Sequence, residues 1–431
     1  MNTALPLSHR WTQHPSRVML HNEIHARPPE AMAAPLAISH VVMVCNAEQR
    51  AASRAHVAEL LRNHHLPLPD DHANHFRMEM GPYRIRWESH TEFVSWTFLC
   101  DLDQVPADDL PRAADMLPQD WLARLPGECL SSMHLWALPH QQDNSLLVRK
   151  VLHEETLIGS GVVDGLGEVY TDFAIHADGA SRTLVFVGEL SKRRLGRLMQ
   201  RLIEIETYRM AALLGLPAAR EASAVLSSAE RELAELADAI RTATRNDEPL
   251  LLDRLTRLAG QVESQYAKTH SRFSASAAYF ELVDKRINDI METRISGLQT
   301  IREFMDRRLS PARSTCQWAT RRQDALSQRV SRISSLLRTR VEIEQQQSSQ
   351  ALLSTMNRRQ DLQLKLQSTV EGLSVAAITY YIVGLVSYLA KGAQSLGWPL
   401  SPESTAALAI PVVVGVIWWS LRRLHRRVFK N

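Results

Sequence analysis

Two long apolar runs near the C-terminus predict membrane helices. The first run begins at Leu373 and ends at Ala390, and the second begins at Thr405 and ends at Leu421. A helix of about 20 mostly apolar residues crosses a hydrocarbon core of about 30 Å. Glycines and prolines between the two runs predict a turn. The pattern therefore predicts a two-helix transmembrane hairpin with a basic tail over residues 371–431.

The residues at the end of the second run indicate how this hairpin is oriented. Trp418 and Trp419 suit the interface between hydrocarbon and water, and a basic cluster follows them. Its arginines are Arg422, Arg423, Arg426 and Arg427. Basic flanks favour the cytoplasmic side of a membrane, and residues 1–15 lack the apolar run of a signal peptide. We therefore expect a bacterial inner-membrane protein with both termini in the cytoplasm. A buried helical pair in a soluble protein is the alternative, but it does not explain why each run stops at charged residues.

Helical spacing dominates residues 191–370. The prolines at Pro249 and Pro311 predict two helices of about sixty residues each, starting near these positions. Apolar residues of the first helix keep an alternating three-and-four step, at Leu252, Leu255, Ala259, Val262, Tyr266, Phe273, Phe280, Val283, Ile287, Ile290, Ile301 and Phe304. Polar residues fall on the same seam, at Thr269, Ser276 and Arg294. This is coiled-coil spacing, so we expect an antiparallel coiled coil that leads into the membrane and supports a homo-oligomer.

The hydrophobic pattern of residues 38–190 is typical of an α+β domain. Short apolar or alternating segments predict strands, and amphipathic segments predict helices. The predicted strands cover 38–45, 77–88, 92–100 and 129–138, and the predicted helices cover 47–64 and 108–124. This β-α-β-β-α-β order predicts ferredoxin-like elements. Three more strands are expected at 156–163, 168–175 and 183–187, with turns at Asp164-Gly165 and Asp178-Gly179, before a helix over 191–214.

Composition narrows the possible functions without choosing one. The chain of 431 residues has 50 basic and 47 acidic side chains, so its net charge of +3 gives no reason to expect a nucleic-acid partner. The basic series along the second long helix lacks interleaved aromatic residues, which points to a solvated face. The four cysteines lack CxxC spacing and therefore predict neither a zinc knuckle nor a disulfide framework.

Two histidine-containing segments offer candidate chemistry. The N-terminal arm, residues 1–37, carries His21, Asn22, Glu23, His25 and Arg27, and a later segment carries Glu88, His90 and Glu92. Strand alternation would place the last three on one face if the strand continued through them. Histidines His21, His25 and His90 could hold a divalent metal and activate water, although the order HExxH of metalloproteases is absent. The alternatives are structural histidines, or an arm that pairs with the sheet through Asn22, Glu23 and Arg27.

Three segments resemble a known family. The stretch from Leu20 to Pro29, the stretch from Trp87 to Phe93 and the stretch from Glu206 to Arg209 are similar to signature stretches of domain-of-unknown-function family 3422, an uncharacterised bacterial family. The similarity extends to the C-terminal hairpin. The resemblance implies a membrane-anchored architecture and implies no activity.

Three functions are consistent with these patterns. The first is an oligomeric, membrane-anchored scaffold or regulatory module that faces the cytoplasm and contacts the lipid bilayer. The second is a divalent-cation conduit like the CorA-type magnesium channels, although Lys391-Gly392-Ala393 stands where their Gly-Met-Asn signature is expected. The third is a metal-dependent hydrolase that uses His21, His25 and His90.

Overall fold

The computed structural model describes residues 14–17, 20–21, 30–70, 73–104, 109–244, 246–394 and 399–428. The chain divides into two compact units, Met1–Ser334 and Ser335–Asn431. Nine strands are present among the described residues: β1 (Leu36–Val44), β2 (His75–Glu79), β3 (Arg84–Ser89), β4 (Phe93–Asp101), β5 (Glu128–Pro139), β6 (Ile158–Val162), β7 (Gly167–Thr171), β8 (Ser181–Val187) and β9 (Thr293–Arg294). The α-helices are α1 (Ala47–Asn63), α2 (Gln119–Leu122), α3 (Ser145–Val151), α4 (Lys192–Leu213), α5 (Gly215–Thr242), α6 (Glu248–Asp289), α7 (Ile301–Arg308), α8 (Ser310–Gln394) and α9 (Pro402–Val428).

The nine strands form one mixed sheet in the order β2-β3-β4-β1-β5-β8-β7-β6-β9. Strands β5 and β8 pair in parallel, and the other neighbouring strands pair antiparallel. The α+β character expected of this region is confirmed, whereas the ferredoxin-like arrangement is not. The turns at Asp164-Gly165 and Asp178-Gly179 are also present, since Asp164, Gly165 and Gly179 all have positive φ.

Two element predictions in this region were wrong. The segment 77–88 is not one strand, because Gly81 at φ 91° and Pro82 turn the chain between β2 and β3. The segment 108–124 is not one helix. Pro111 and Pro118 confine its described part to a short 3-10 turn and to α2, since proline cannot donate a helical hydrogen bond and disfavours helix in the preceding residue.

Both faces of the sheet are covered near its centre. One face packs against α1 and α2 in a core that contains Trp87, Trp96 and Trp121. On the other face, Val42 and Phe93 pack against Ala211 of α4. A strand covered on both faces can be apolar at successive positions, and β4 is buried at every residue except its last.

The long helices begin and end differently from the prediction. The first predicted helix stops at Asp289, because Met291 and Gly297 have positive φ and Arg294 lies in β9, which pairs with β6. The second, α8, begins at Ser310 with Pro311 in its first turn, where the missing N–H costs no helical hydrogen bond. It extends through Gln394 and so includes the first apolar run.

The seam of α6 is buried in a three-helix arrangement. Its buried positions include Leu255, Val262, Phe273, Phe280, Val283 and Ile287. Thr269 donates a hydrogen bond to Gln323 of α8 at 3.1 Å. Arg313 of α8 donates to the carbonyl oxygen of Phe280 at 2.9 Å, so α6 and α8 run antiparallel. Helix α5 is the third member, because its Glu230 pairs with Arg322 of α8 at 2.6 Å. A coiled coil as such is not confirmed.

Candidate functional site

The predicted site residues lie in three different places. His21 is exposed, and Asn22, Glu23, His25 and Arg27 lie outside the described residues. Glu88 and His90 line a polar cavity between the sheet and α4. Glu92 contacts α6 instead, because β3 ends at Ser89 and the chain turns before β4. The three residues therefore do not share one strand face.

The polar cavity has a volume of about 70 Å³. Its polar lining comes from β1, β3 and the turn after it, β4 and α4, and consists of His40, Arg86, Glu88, His90, Ser95, Gln200, Glu204, Thr207 and Tyr208. Arg86 and Glu88 form an ion pair at 3.5 Å, and Glu204 pairs with Arg286 of α6. Ligand pockets usually measure about 300 Å³ or more. This cavity can therefore hold a few water molecules or a small ion and is too small for a nucleotide-sized substrate.

His40, which lines the cavity, connects the sheet to α4 through hydrogen bonds. Thr207 donates its hydroxyl proton to the carbonyl oxygen of Ile203 at 2.9 Å. Its oxygen therefore accepts from Nε2 of His40 at 3.0 Å. The neutral imidazole then accepts at Nδ1 from the hydroxyl of Thr97 at 2.9 Å. The arrangement fixes one tautomer and uses both ring nitrogens, so His40 is a structural residue of the cavity.

Glu92 joins the β3–β4 turn to α6. Its carboxylate accepts hydrogen bonds from both terminal nitrogens of Arg272, at 3.0 and 2.9 Å, and from the hydroxyl of Tyr279 at 3.1 Å. Burial, together with the charge of Glu92, raises the pKa of Tyr279 to about 12, so the phenol stays protonated and donates. The geometry gives Glu92 a structural role between the sheet and the helices.

The segment from Glu206 to Arg209 forms a second buried polar contact on α4. Glu206 accepts from Ser131 at 3.0 Å and from Arg209 at 2.6 and 2.8 Å. The guanidinium of Arg209 also lies 4.8 Å from the ring centre of Phe173. Thr207, in the same segment, contacts His40 at the cavity that Glu88 and His90 also line. Two of the segments that carry the family resemblance, 87–93 and 206–209, therefore meet at one junction between the sheet and α4.

Within the described part of the chain, one group of three side chains has the residue types and spacing of a metal site. It consists of His153, Asp172 and His176, whose potential ligand atoms all lie within 4.8 Å of one another. Sequence reasoning missed this group. Asp172 and His176 are four residues apart, but His153 precedes them by 19 residues, so the only available signal was the short Asp-x-x-x-His spacing. The site expected from His21, His25 and His90 stays a prediction, because His25 lies outside the described residues.

The predicted membrane segments are helical and expose their apolar side chains. Among the described residues, two helices are long and apolar enough to cross a membrane, and 6 % and 0 % of the residues in their apolar windows are buried. Leu373 is 74 % exposed, whereas Ala390 is buried and Thr405 is half-buried. Arg422 lies over the ring of Trp418 at 4.8 Å and Arg423 over that of Trp419 at 5.1 Å. The side chains of Leu421, Arg426 and Arg427 are not among those that the structure describes.

Two buried histidines should make stability depend on pH. Burial lowers the pKa of His40 to about 3 and that of His134 to about 4. Histidine in an unfolded chain titrates near about 6.5, so below that pH the unfolded chain binds protons that the folded chain does not. As the pH falls toward the pKa of the folded state, each of the two histidines therefore lowers the free energy of unfolding by about 1.4 kcal/mol per pH unit. We expect the thermal unfolding midpoint, followed by circular dichroism, to fall between pH 6.5 and pH 4.5.

The variant His40→Gln separates this contribution from the rest of the acid response. It should be less stable at neutral pH and should lose less stability on acidification, whereas His64→Gln, at an exposed position after α1, should behave like the wild type. If the unfolding midpoint of His40→Gln fell as steeply with pH as that of the wild type, the role given to burial of His40 would be contradicted.

Comparison with known proteins gives one match. A family model described as "Protein of unknown function (DUF3422)" matches residues 12–428. No curated protein and no solved structure matches the chain. The matched region includes all three segments on which the resemblance rests, together with both apolar helices.

Proposed function

The chain belongs to the DUF3422 family, and because that family has no assigned function, we propose from the geometry that this protein is a membrane-anchored, oligomeric scaffold facing the bacterial cytoplasm. One observation carries the proposal. The apolar windows of α8 and α9 are almost wholly unburied. A core helix of a soluble protein would bury such a window, and soluble monomers rarely expose a contiguous apolar patch of more than a few hundred Å².

The end of α9 supports the cytoplasmic orientation. Trp418 and Trp419 are more than half exposed and lie beneath the guanidinium groups of Arg422 and Arg423. An aromatic pair covered by basic groups suits the interface between lipid and water, where the rings meet the acyl chains and the charges meet headgroups. The basic cluster then favours the cytoplasmic side, and we propose that the nine-stranded sheet lies in the cytoplasm as well.

Helix α8 supports the oligomer. Every residue from 351 to 370 is exposed in the second unit, including Leu352, Met356 and Leu366. Isolated helices are marginal in water, and most helical stability in proteins comes from packing of an apolar face. We infer that this part of α8 packs against the same segment of other copies.

A mass measurement tests the oligomer. In mild detergent we expect the purified chain to have a protein mass that is a multiple of 48.7 kDa. Burying a leucine contributes about 1.5–3 kcal/mol, so Leu352→Glu should weaken association by about tenfold or more. The matched control is Gln350→Glu, which adds the same charge at an exposed polar position. A strict monomer at all protein concentrations would rule out the scaffold as proposed.

A further inference from the structure

At the end of β7, the carboxylate of Asp172 lies beside a ring nitrogen of each of two histidines. Its Oδ2 is 3.0 Å from Nδ1 of His153 and 2.8 Å from Nε2 of His176. The side chain of Asp172 is 0 % exposed, that of His176 is 7 % exposed and that of His153 is 57 % exposed. The group is therefore a buried carboxylate with one buried histidine and one histidine that faces solvent.

The backbone holds this carboxylate in place. The N–H of His153 donates to Oδ2 at 3.0 Å, and the N–H of Ala174 donates to Oδ1 at 3.1 Å. The backbone N–H of His176 donates to the carbonyl oxygen of Ala180 at 3.0 Å, which closes the loop between β7 and β8. Two of the three side chains thus sit on a loop whose shape is fixed by hydrogen bonds, so their positions do not depend on a bound ligand.

The donor atoms lie near the spacing that a metal ion requires. Two atoms that each lie about 2.1 Å from one ion are separated by about 3.4 Å in tetrahedral geometry. The two nitrogen–oxygen distances in this group, 3.0 and 2.8 Å, are shorter by about half an ångström, so the donor atoms would move slightly apart on metal binding. Two histidines and one carboxylate are ligands of zinc and of other first-row divalent metals, and three protein ligands leave a coordination position open.

We propose that His153, Asp172 and His176 bind a divalent first-row transition metal ion, with water in the remaining position on the exposed side of His153. The two imidazole rings are stacked, with centroids 4.3 Å apart and planes 6° from parallel. Because an imidazole lone pair lies in the plane of its ring, the His153 ring must tilt out of this stack to meet the same ion as His176. Its solvent-facing position leaves room for that rotation.

The bound ion would connect two parts of the fold that are distant in sequence. His153 lies between α3 and β6, whereas Asp172 and His176 lie in the β7–β8 loop. Phe173, which follows Asp172, stacks on Phe304 of α7 with the ring centroids 5.0 Å apart. A metal here would therefore join the β7–β8 loop to the segment before β6, beside the contact of this loop with α7, independently of whether the chain is an oligomeric scaffold.

Metal binding can be measured on the detergent-purified full chain without a polyhistidine tag. After dialysis against a chelator, the protein is titrated with Zn²⁺ by calorimetry and with Co²⁺ by visible absorption. We expect about one ion per chain and a Co²⁺ spectrum distinct from that of the hydrated ion. His153→Ala should weaken binding by at least about tenfold, since loss of an outer-shell partner alone costs about 10–100-fold. This variant keeps the backbone N–H that holds Asp172.

Variants of histidines outside the group test whether the metal binds at these three residues. His64→Ala, at an exposed position on another element, should bind like the wild type, and so should His21→Ala in the N-terminal arm. Equal affinity in His153→Ala and the wild type would overturn the proposal, as would loss of binding in His21→Ala alone. A Co²⁺ spectrum of the wild type identical to that of hydrated Co²⁺ would overturn it without recourse to any variant, and the group would then be a hydrogen-bonded cluster.

Discussion

After a high-pH carbonate wash, the intact chain is expected to remain in the membrane pellet, whereas a chain that ends at Gly372 should appear in the supernatant. The shortened chain lacks both apolar windows and keeps the whole first unit. Carbonate strips proteins held by charge, so the comparison separates insertion into lipid from adsorption through the basic residues. Immunoblotting of the two fractions measures the difference, which we expect to be nearly complete.

Single substitutions sharpen this test. A charged residue at the centre of a membrane helix costs about 2.5–3.5 kcal/mol on insertion, so Leu385→Arg should reduce the pellet fraction, while Leu385→Ile should not. A reporter fused after Asn431 checks the side of the membrane. Green fluorescent protein should fluoresce there, and alkaline phosphatase should be inactive. Recovery of the intact chain in the supernatant without detergent would remove the basis of the proposed function.

Local sequence signals predicted much of the sheet because its strands have clear boundaries. The run before Cys45, the segment ending near Cys100 and the hairpins at Asp-Gly turns were located from alternation and turn residues. The signal failed at Gly81-Pro82, where apolar alternation continues across a two-residue turn and masks it. A period of two residues does not reveal whether a strand continues or reverses.

The long helices show how tertiary pairing can override a helical pattern. Ile301 and Phe304 continue the spacing of the α6 seam, so this spacing alone predicts a helix that extends through them. The chain leaves the helix at Asp289 because Arg294 pairs with Ser160 of β6 and Gly297 takes a positive φ. Such a pairing depends on a strand more than a hundred residues earlier and leaves no local trace.

The candidate sites were harder to predict because their contacts are long-range. Glu88 and His90 were singled out from a short motif, and the structure places both at the cavity. Their partner His40 comes from β1 and contacts Thr207, 167 residues later. Neither His40 nor His153 lies next to its hydrogen-bonding partners in the sequence, so only folding brings each of them to those partners.

Replacing Glu206 by alanine should cause a large loss of stability. The side chain of Glu206 is 3 % exposed and that of Arg209 is 14 % exposed, and the two are joined by hydrogen bonds of 2.6 and 2.8 Å. Removal of the carboxylate leaves a largely buried guanidinium and the hydroxyl of Ser131 without this acceptor. Breaking a buried ion pair from one side costs about 3–5 kcal/mol, and we expect the lower end because Arg209 reaches some solvent.

Chemical denaturation of the detergent-purified chain measures this loss, and a second substitution identifies its cause. If the cost comes from an uncompensated charge, Glu206→Ala combined with Arg209→Met should be more stable than Glu206→Ala alone, because the double variant buries no unpaired cation. Glu235→Ala, on the exposed face of α5, is the matched control and should change stability by less than about 0.5 kcal/mol. A double variant that is less stable by the sum of the two single losses would show that the residues act independently, and that packing against Phe173 and Ser131 matters more than the charge pair.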